Sequence, residues 1–204
     1  TEPVYDEDGS YHRHSNRHGP SDTWNPLAST IEPFIDNNVN KNALNTSLNF
    51  KIWKGLALEI TGGAFITNTN NQNYFNRKTY TGMQDDGVGN TYSASYSKFQ
   101  NSNIITYIKD FGKHSLNITG VAEQQFTKYV FNSINASSFL VDQTGVFNLG
   151  GANLVVPASG ADERVLNSYM GRLNYGFDDR YLLTLSYRAD GSSVFGRNNK
   201  WGYF

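Results

Sequence analysis

The run VLNSYMGRLNYGFDDRYLLTLSYRADGSSVFGR, residues 165–197, decides the fold. In it Tyr169, Leu173, Tyr175 and Phe177 share one parity with Gly171, while Ser168, Met170, Arg172 and Asn174 share the other. A two-residue period of this kind puts successive side chains on opposite faces of a strand. The pattern stops at Asp178-Asp179 and restarts, with Tyr181, Leu183, Leu185 and Tyr187 on one side and Leu182, Thr184, Ser186 and Arg188 on the other. Two strands joined by two acidic turn residues predict a tight hairpin. At its far end the second strand runs into Asp190-Gly191-Ser192-Ser193 and a polar, Gly- and Asn-rich stretch, with no second tight turn.

Upstream the same alternation recurs. Leu44, Leu48, Phe50 and Ile52 alternate with Asn45, Ser47, Asn49 and Lys51; after Lys54-Gly55, Leu56, Leu58, Ile60, Ala64 and Ile66 alternate with Ala57, Glu59, Thr61, Gly63 and Phe65. This predicts a hairpin with a short connection. Strand character resumes near Phe99, but Ile104 and Ile108 oppose Ile105 and Tyr107, so the faces stay unassigned there. A short turn at Asp110-Phe111-Gly112-Lys113 leads into Leu116, Ile118, Gly120 and Ala122 alternating with Ser115, Asn117, Thr119, Val121 and Glu123. Between the hairpins, 67–97 and 127–162 read as long polar insertions, and 1–41 as an extended loop in which Ile31, Phe34 and Ile35 form a short turn of helix or a packed corner. Short turns therefore recur at one edge and long loops at the other.

Composition points the same way. Hydrophobic residues make up 38% of the chain while Tyr and Phe number 13 each, which disfavours a thick aliphatic core and fits strands with one apolar and one polar face. A net charge of -1 offers no basic footprint for nucleic acid. No window reaches the roughly 18 apolar residues of a membrane-spanning helix, but a barrel strand needs only about ten residues with every second one apolar. Cysteine is absent, which removes thiol catalysis and disulfides. The chain begins without methionine and stops in mid-pattern, so it is expected to be a piece of a longer polypeptide. The fold expected is all-β: an antiparallel up-and-down transmembrane β-barrel segment of about six strands, with short periplasmic turns and long extracellular loops. Phe111, Phe177 and Tyr181 flank the short turns, where an aromatic girdle would lie.

The end of the chain resembles the signature region of the SusC/RagA family of TonB-linked outer-membrane nutrient transporters of Bacteroidota. The matching pieces are Ser168-Tyr169, Gly171-Arg172, Asn174-Tyr175, Asp178-Asp179, Tyr181-Leu182-Leu183, Arg188, Asp190-Gly191-Ser192-Ser193 and Phe195-Gly196. Weaker echoes are Asp8-Gly9 with Tyr11, Asn25-Pro26-Leu27-Ala28, Lys54-Gly55-Leu56 and Phe111-Gly112-Lys113-His114. The resemblance implies that 1–204 is part of a TonB-dependent receptor barrel domain, with the plug and remaining strands outside it. It also implies a SusD-like surface lipoprotein as partner, a TonB complex engaged through the missing N-terminal part, outer-membrane lipid around the wall, and oligosaccharide or, less often, peptide as cargo. No cofactor is implied. A non-transport surface adhesin or structural barrel and a soluble β-rich binding domain are the alternatives.

Candidate sites are few. Arg172, Arg188 and Asp190 lie on or near the polar parity of the strongest hairpin; charges inside a membrane barrel face the lumen and pair. They brace the wall or seat the plug, or else touch substrate. His12, His14 and His18 are close enough in sequence to suggest zinc or copper, but no scaffold is evident to fix a coordination shell. Asp6, Glu7 and Asp8 with Gly9, and Asp85-Asp86-Gly87, lack EF-hand spacing and read as turns. Ser192 and Ser193 make no G-x-S-x-G elbow and have no histidine nearby, so no hydrolase is expected. Tyr11, Trp24, Tyr74, Tyr80, Tyr92, Phe131, Phe139 and Trp201 lie in the expected loops, where aromatics stack on sugar rings, anchor partners or form loop cores.

Overall fold

A computed structural model describes residues 4–12, 14–15, 22–23, 25–196 and 199–204, with no account of the side chains at 14–15 and 22–23. It contains β1 (His14–Ser15), β2 (Asp22–Thr23), α1 (Pro26–Ile31), β3 (Phe34–Trp53), β4 (Leu56–Phe75), α2 (Tyr80–Gln84), β5 (Val88–Phe111), β6 (His114–Phe139), a 3-10 segment (Gly145–Gly151), β7 (Ala152–Phe177), β8 (Tyr181–Ser192) and β9 (Trp201–Tyr203). Strands β3 to β9 form one seven-stranded sheet in sequence order; β1 and β2 pair separately. No described helix is long and apolar enough to cross a membrane, which says nothing of crossing by strands.

The hairpin read from residues 165–197 is present in the expected register. Tyr169 pairs with Ala189, Gly171 with Tyr187, Leu173 with Leu185, Tyr175 with Leu183 and Phe177 with Tyr181; on the other face Ser168 pairs with Asp190, Met170 with Arg188 and Arg172 with Ser186. Cross-strand partners share a face, so the two apolar parities merge into one surface. The chain reverses through Asp178 and Asp179, both at φ 51, and the Arg180 N–H donates to the Phe177 carbonyl at 3.1 Å. Left-handed backbone of this kind suits Asp, whose short polar side chain tolerates it.

The strands run far past the hairpin cores. β6 and β7 have 26 residues each, roughly 85 Å at about 3.3 Å per residue. The segments 67–97 and 127–162, expected as loops, are mostly strand: β4 continues to Phe75, β5 begins at Val88, β6 continues to Phe139 and β7 begins at Ala152. The true connections are the short pieces that hold α2 and the 3-10 segment. Likewise β3 begins at Phe34, inside the expected 1–41 loop, and the short helix there is α1.

Two compact units emerge. One comprises Lys41–Thr67, Ser95–Val130 and Ala161–Phe204; the other Thr1–Asn40, Asn68–Ala94 and Phe131–Gly160. The first contains the short turns and no dense interior. Leu56, Ile105, Tyr107, Ile118, Leu173, Leu185 and Tyr187 line one shallow apolar surface, and Leu185 remains 56% exposed. This surface settles the ambiguous strand: Ile105 and Tyr107 of β5 belong to the apolar face, with Gly120 opposite Ile105 leaving room for its methyl group. Gly55, at φ +86, is required by its turn, since an added Cβ would stand 2.2 Å from the Ile108 carbonyl oxygen.

The second unit has a small packed core of Tyr74, Ala136, Phe139, Val146 and Leu149, with Ala152 against it. The rings of Tyr74 and Phe139 meet edge to face at 5.2 Å. Gly82 closes the α2 turn, where an added Cβ would come within 2.0 Å of the Asn76 carbonyl oxygen.

Candidate functional site

On the polar face of the first unit, the sequence candidates separate. Arg188 and Asp190 form an ion pair, Nε to Oδ2 2.8 Å and to Oδ1 3.0 Å. The Arg188 Nη2 also donates to the Ser168 hydroxyl at 3.4 Å. Ser168 is only 4% exposed. Arg172 lies on the same face two residues beyond Met170 in the register, beside Ser186, and makes no ion pair among the described residues. Residues of β5 and β6 continue this polar line. Glu123 on β6 accepts from the buried Ser102 hydroxyl at 2.7 Å and from the Gln100 amide at 3.2 Å, and it is near enough to Arg188 for their opposite charges to interact. Its polar parity was visible in the sequence; its partners on β5 were not, because that strand's faces were ambiguous.

The three aromatics that flank the short turns are joined by a fourth ring. Phe111 stacks on His114 with centroids 4.9 Å apart, His114 lies 5.0 Å from Phe177, and Phe177 lies 6.4 Å from Tyr181. The His114 Nδ1 sits 2.6 Å from the Tyr175 hydroxyl. Beside this band Lys113 and Asp178, from neighbouring short turns, pair at 2.9 Å. Further along the same apolar parity Trp201 stacks on Tyr169 at 6.0 Å.

The second unit holds two charged networks. In one, Asp142 accepts from the Tyr74 hydroxyl at 2.8 Å and pairs with Arg77 at 3.0 Å, while Arg77 reaches Asp86 at 3.5 Å and donates to the Phe139 carbonyl. Desolvation works against the Arg77 charge, and Asp142 followed by Asp86 outweigh it, so the guanidinium is held charged. In the other, Glu32 accepts from Tyr11 at 2.8 Å, from the Asn76 amide at 2.8 Å and from Lys78 at 3.3 Å. Burial pushes the Glu32 carboxyl up, and the bonds from Asn76, Tyr11 and Lys78 together pull it below its ordinary value. The same contact pushes the Tyr11 hydroxyl up to about 12.

Residues 4–12 form a miniature hairpin joined by a bridge between Tyr5 and Tyr11. Gly9, at φ +83, turns it, and Asp8 accepts from the Ser10 N–H at 2.9 Å and from its hydroxyl at 2.7 Å. Those bonds, the Ser10 hydroxyl first, hold the Asp8 carboxyl below its usual range. Asp6 is engaged by His12 at 2.6 Å. Among the described residues no three His, Cys, Asp or Glu converge as a metal site. His18 and Trp24, and the side chain of His14, lie outside what is described. The buried Asn25 ties the hairpin to α1: its amide donates to the Val4 and His12 carbonyls at 3.0 and 3.2 Å, and its side-chain oxygen caps the helix at Leu27 N.

Of the loop aromatics, Tyr74 and Phe139 are core residues, Tyr92 stacks on Phe131 at 6.2 Å, and Tyr80 is half exposed. Among the described residues the arrangement consists of hydrogen-bonded and ion-paired groups.

No family model matches the chain. Over 205 residues it is 31% identical to TonB-dependent receptor P3 of Formosa agariphila, a match that takes 98% of this chain and 20% of that protein. It is equally identical over 206 residues to TonB-dependent receptor P39 of the same organism, covering 98% of this chain and 19% of that one. TonB-dependent receptor SusC of Bacteroides thetaiotaomicron is 32% identical over 126 residues, 61% of this chain and 12% of SusC. Among solved structures, the RagAB peptide transporter superposes with a TM-score of 0.70 at 23% identity, and the RagAB peptide importer in its closed-closed state with 0.73 at 24%. Both cover 98% of this chain and 23% of theirs, and at that identity they show the fold alone. The chain thus spans about a fifth of the length of the curated relatives it matches. These relatives are receptors and transporters, not enzymes.

Proposed function

The chain is a SusC/RagA-like segment of a TonB-dependent receptor, and from that premise we propose that residues 1–204 form part of the barrel domain of an outer-membrane nutrient importer. The plug and the remaining strands belong to the rest of the receptor. In hydrocarbon every backbone polar group needs a partner, so a sheet of this kind serves a membrane only once closed. The odd-numbered face of β7 and β8 turns to lipid and the even-numbered face, with Arg172, Arg188 and Asp190, to the lumen. The tight turns meet the periplasm, and the connections that hold α2 and the 3-10 segment meet the cell surface.

The importer works with a SusD-like surface lipoprotein and draws its energy from a TonB complex. Its cargo is oligosaccharide; peptide is the rival, favoured by the peptide transport named for RagAB. The chain contributes wall and binding surface and performs no chemical step. Arg188 and Asp190 brace the wall, as a mutually satisfied pair with a buried hydroxyl does.

The observation that supports this best is the register of β7 and β8, which gathers every large apolar side chain of Tyr169, Leu173, Tyr175 and Phe177 with Leu183, Leu185 and Tyr187 on one face of a segment matched along 98% of its length by receptors of this kind. The test is co-purification of the intact receptor with the lipoprotein encoded beside it. A stoichiometric complex in detergent is the expected result; no stable complex defeats the proposal. If 1–204 instead purifies as a cooperative monomer without detergent, the soluble binding domain replaces it.

A further inference from the structure

In the second unit the hairpin 4–12 and the start of the α2 connection enclose a cleft of about 710 Å³ lined by Tyr5, Asp6, Tyr11, Glu32, Arg77 and Lys78, with Gly9, Ser10 and His12 at its rim. That size lies in the range of small-molecule sites, about 300–1,000 Å³. We propose that this cleft is a saccharide subsite that selects uncharged sugar residues; the inference rests on the importer reading and gives it a specific contact.

Three features carry it. Tyr5 and Tyr11 pack with ring centroids 5.2 Å apart, and Tyr5 keeps half of its surface exposed. A rigid, exposed aromatic face beside polar groups is what the C–H face of a pyranose stacks on. Asp6 and Glu32 present carboxylate oxygens, which accept from ring hydroxyls, and Lys78 presents an ammonium with hydrogens beyond the one given to Glu32. Lys78, with its side chain 67% exposed, is the donor that a ligand meets first.

The charge of the cleft argues for neutral cargo. Its two carboxylates and two cations cancel, and each is already engaged: Lys78 by Glu32, Arg77 by Asp142 and Asp86, and Asp6 by His12. An anionic sugar finds each cation already compensated and lies beside the cleft's carboxylates, whereas a neutral polyol adds hydrogen bonds with no net charge to place. A peptide with charged termini meets the same obstacle. The cleft is also held open before any ligand arrives. The buried Asn25 clamps both ends of the hairpin, and the Tyr11 hydroxyl is fixed on Glu32, so little ordering is left for a ligand to impose.

The test uses the intact receptor with its lipoprotein in detergent, titrated calorimetrically with neutral glucan, mannan and xylan oligosaccharides and with uronic-acid and sulfated oligosaccharides of similar length. At least one neutral probe is expected to bind, with Tyr5→Ala weakening it by roughly five- to tenfold, Tyr5→Phe leaving it unchanged, and Asp6→Asn weakening it less than Tyr5→Ala. Lys78→Ala, which removes a donor and leaves the carboxylates in excess, is expected to weaken the neutral probe slightly and to widen its advantage over the anionic ones. Equal affinity of the wild type and Tyr5→Ala for a bound saccharide overturns the subsite and leaves the importer standing. Tighter binding of the anionic probes overturns the selectivity. Binding of no saccharide by an otherwise stable receptor–lipoprotein complex overturns the subsite and the oligosaccharide reading together, and absence of that complex is the separate failure of the importer.

Discussion

The two units of this chain solve the same problem, what to do with the faces of long strands, in opposite ways. In the unit with the short turns, apolar side chains line one face of β3 to β8 and no described residue buries them: Leu44 is 67% and Leu185 56% exposed. In the other unit, Tyr74, Phe139, Val146 and Leu149 are buried at 7% or less and the surrounding charges are paired. The first needs an apolar solvent to be stable and the second supplies its own interior. A strand can therefore belong to either regime along different parts of its length, and the surroundings, not backbone geometry, decide which.

The sharpest way to break this contrast is to place a cation on each face of one strand. Leu185→Arg in the intact receptor is expected to cost about 2–4 kcal/mol of folding in phospholipid vesicles and to abolish most of the folded fraction, while Thr184→Arg, one residue away on the polar face, leaves it nearly unchanged. Equal losses would erase the distinction between the faces. In the self-cored unit, Asp142→Ala removes the shared partner of Tyr74 and Arg77. It is expected to destabilise locally by about 1–2 kcal/mol, read as faster amide exchange over 139–151 with no change around Leu185.

A smaller effect is set by acid. Glu32 has a folded value below its ordinary one, so its contribution is fully present above the unfolded value near 4.3 and is lost as pH falls through the folded value. Amide exchange in the 4–12 hairpin of the wild type should accelerate below that ordinary carboxylate range, and Glu32→Gln should remove the extra acid dependence. An unaltered acid profile in Glu32→Gln would assign the effect elsewhere. Smallest of all, Lys113→Ala deletes a pair with 66% and 38% exposed side chains and should shift stability by about 0–1 kcal/mol, visible only as a slight change in thermal midpoint.

The legible part of the fold was the part with unlike faces. Tyr169 to Tyr187 announced strand, turn and register because every second residue differs in kind, and the structure keeps each of those pairings. Residues 127–139 and 152–162 hid their strand character because neighbours such as Val130 and Phe131, or Val155 and Val156, are apolar on both parities, and residues 67–73 and 88–97 hid theirs for the complementary reason. Stretches such as Asn68-Thr69-Asn70-Asn71-Gln72-Asn73 are polar on both parities, and strands with two polar faces give no periodic signal even though their hydrogen bonding continues. β5 concealed its faces because Ile104 and Ile105 both look apolar, and only Gly120 and Ile118 from the neighbouring strand show that Ile105 is the one on the apolar surface.

The candidate sites divided similarly. Arg188 and Asp190 sit two apart on one strand and could be paired on paper. Glu123 needed the pairing of β5 with β6 before it joined them, and the Arg77 network draws residues 9 and 65 positions away in sequence, Asp86 and Asp142, which local pattern does not reach. The acidic runs at 6–8 and 85–87 followed turn chemistry, with Gly9 and Gly87 at positive φ.

One detail of α1 bears on how long this surface lasts. Asparagine side chains age when the backbone nitrogen of the next residue loses its hydrogen, attacks the side-chain carbonyl and expels ammonia, giving a cyclic imide that water opens to aspartate or its isomer. At Asn25 conversion would replace the two N–H donors that grip Val4 and His12 with an anion facing two carbonyl oxygens. The next residue is Pro26, whose nitrogen carries no hydrogen. The proline that starts the helix thus also shields its capping amide from chemical decay.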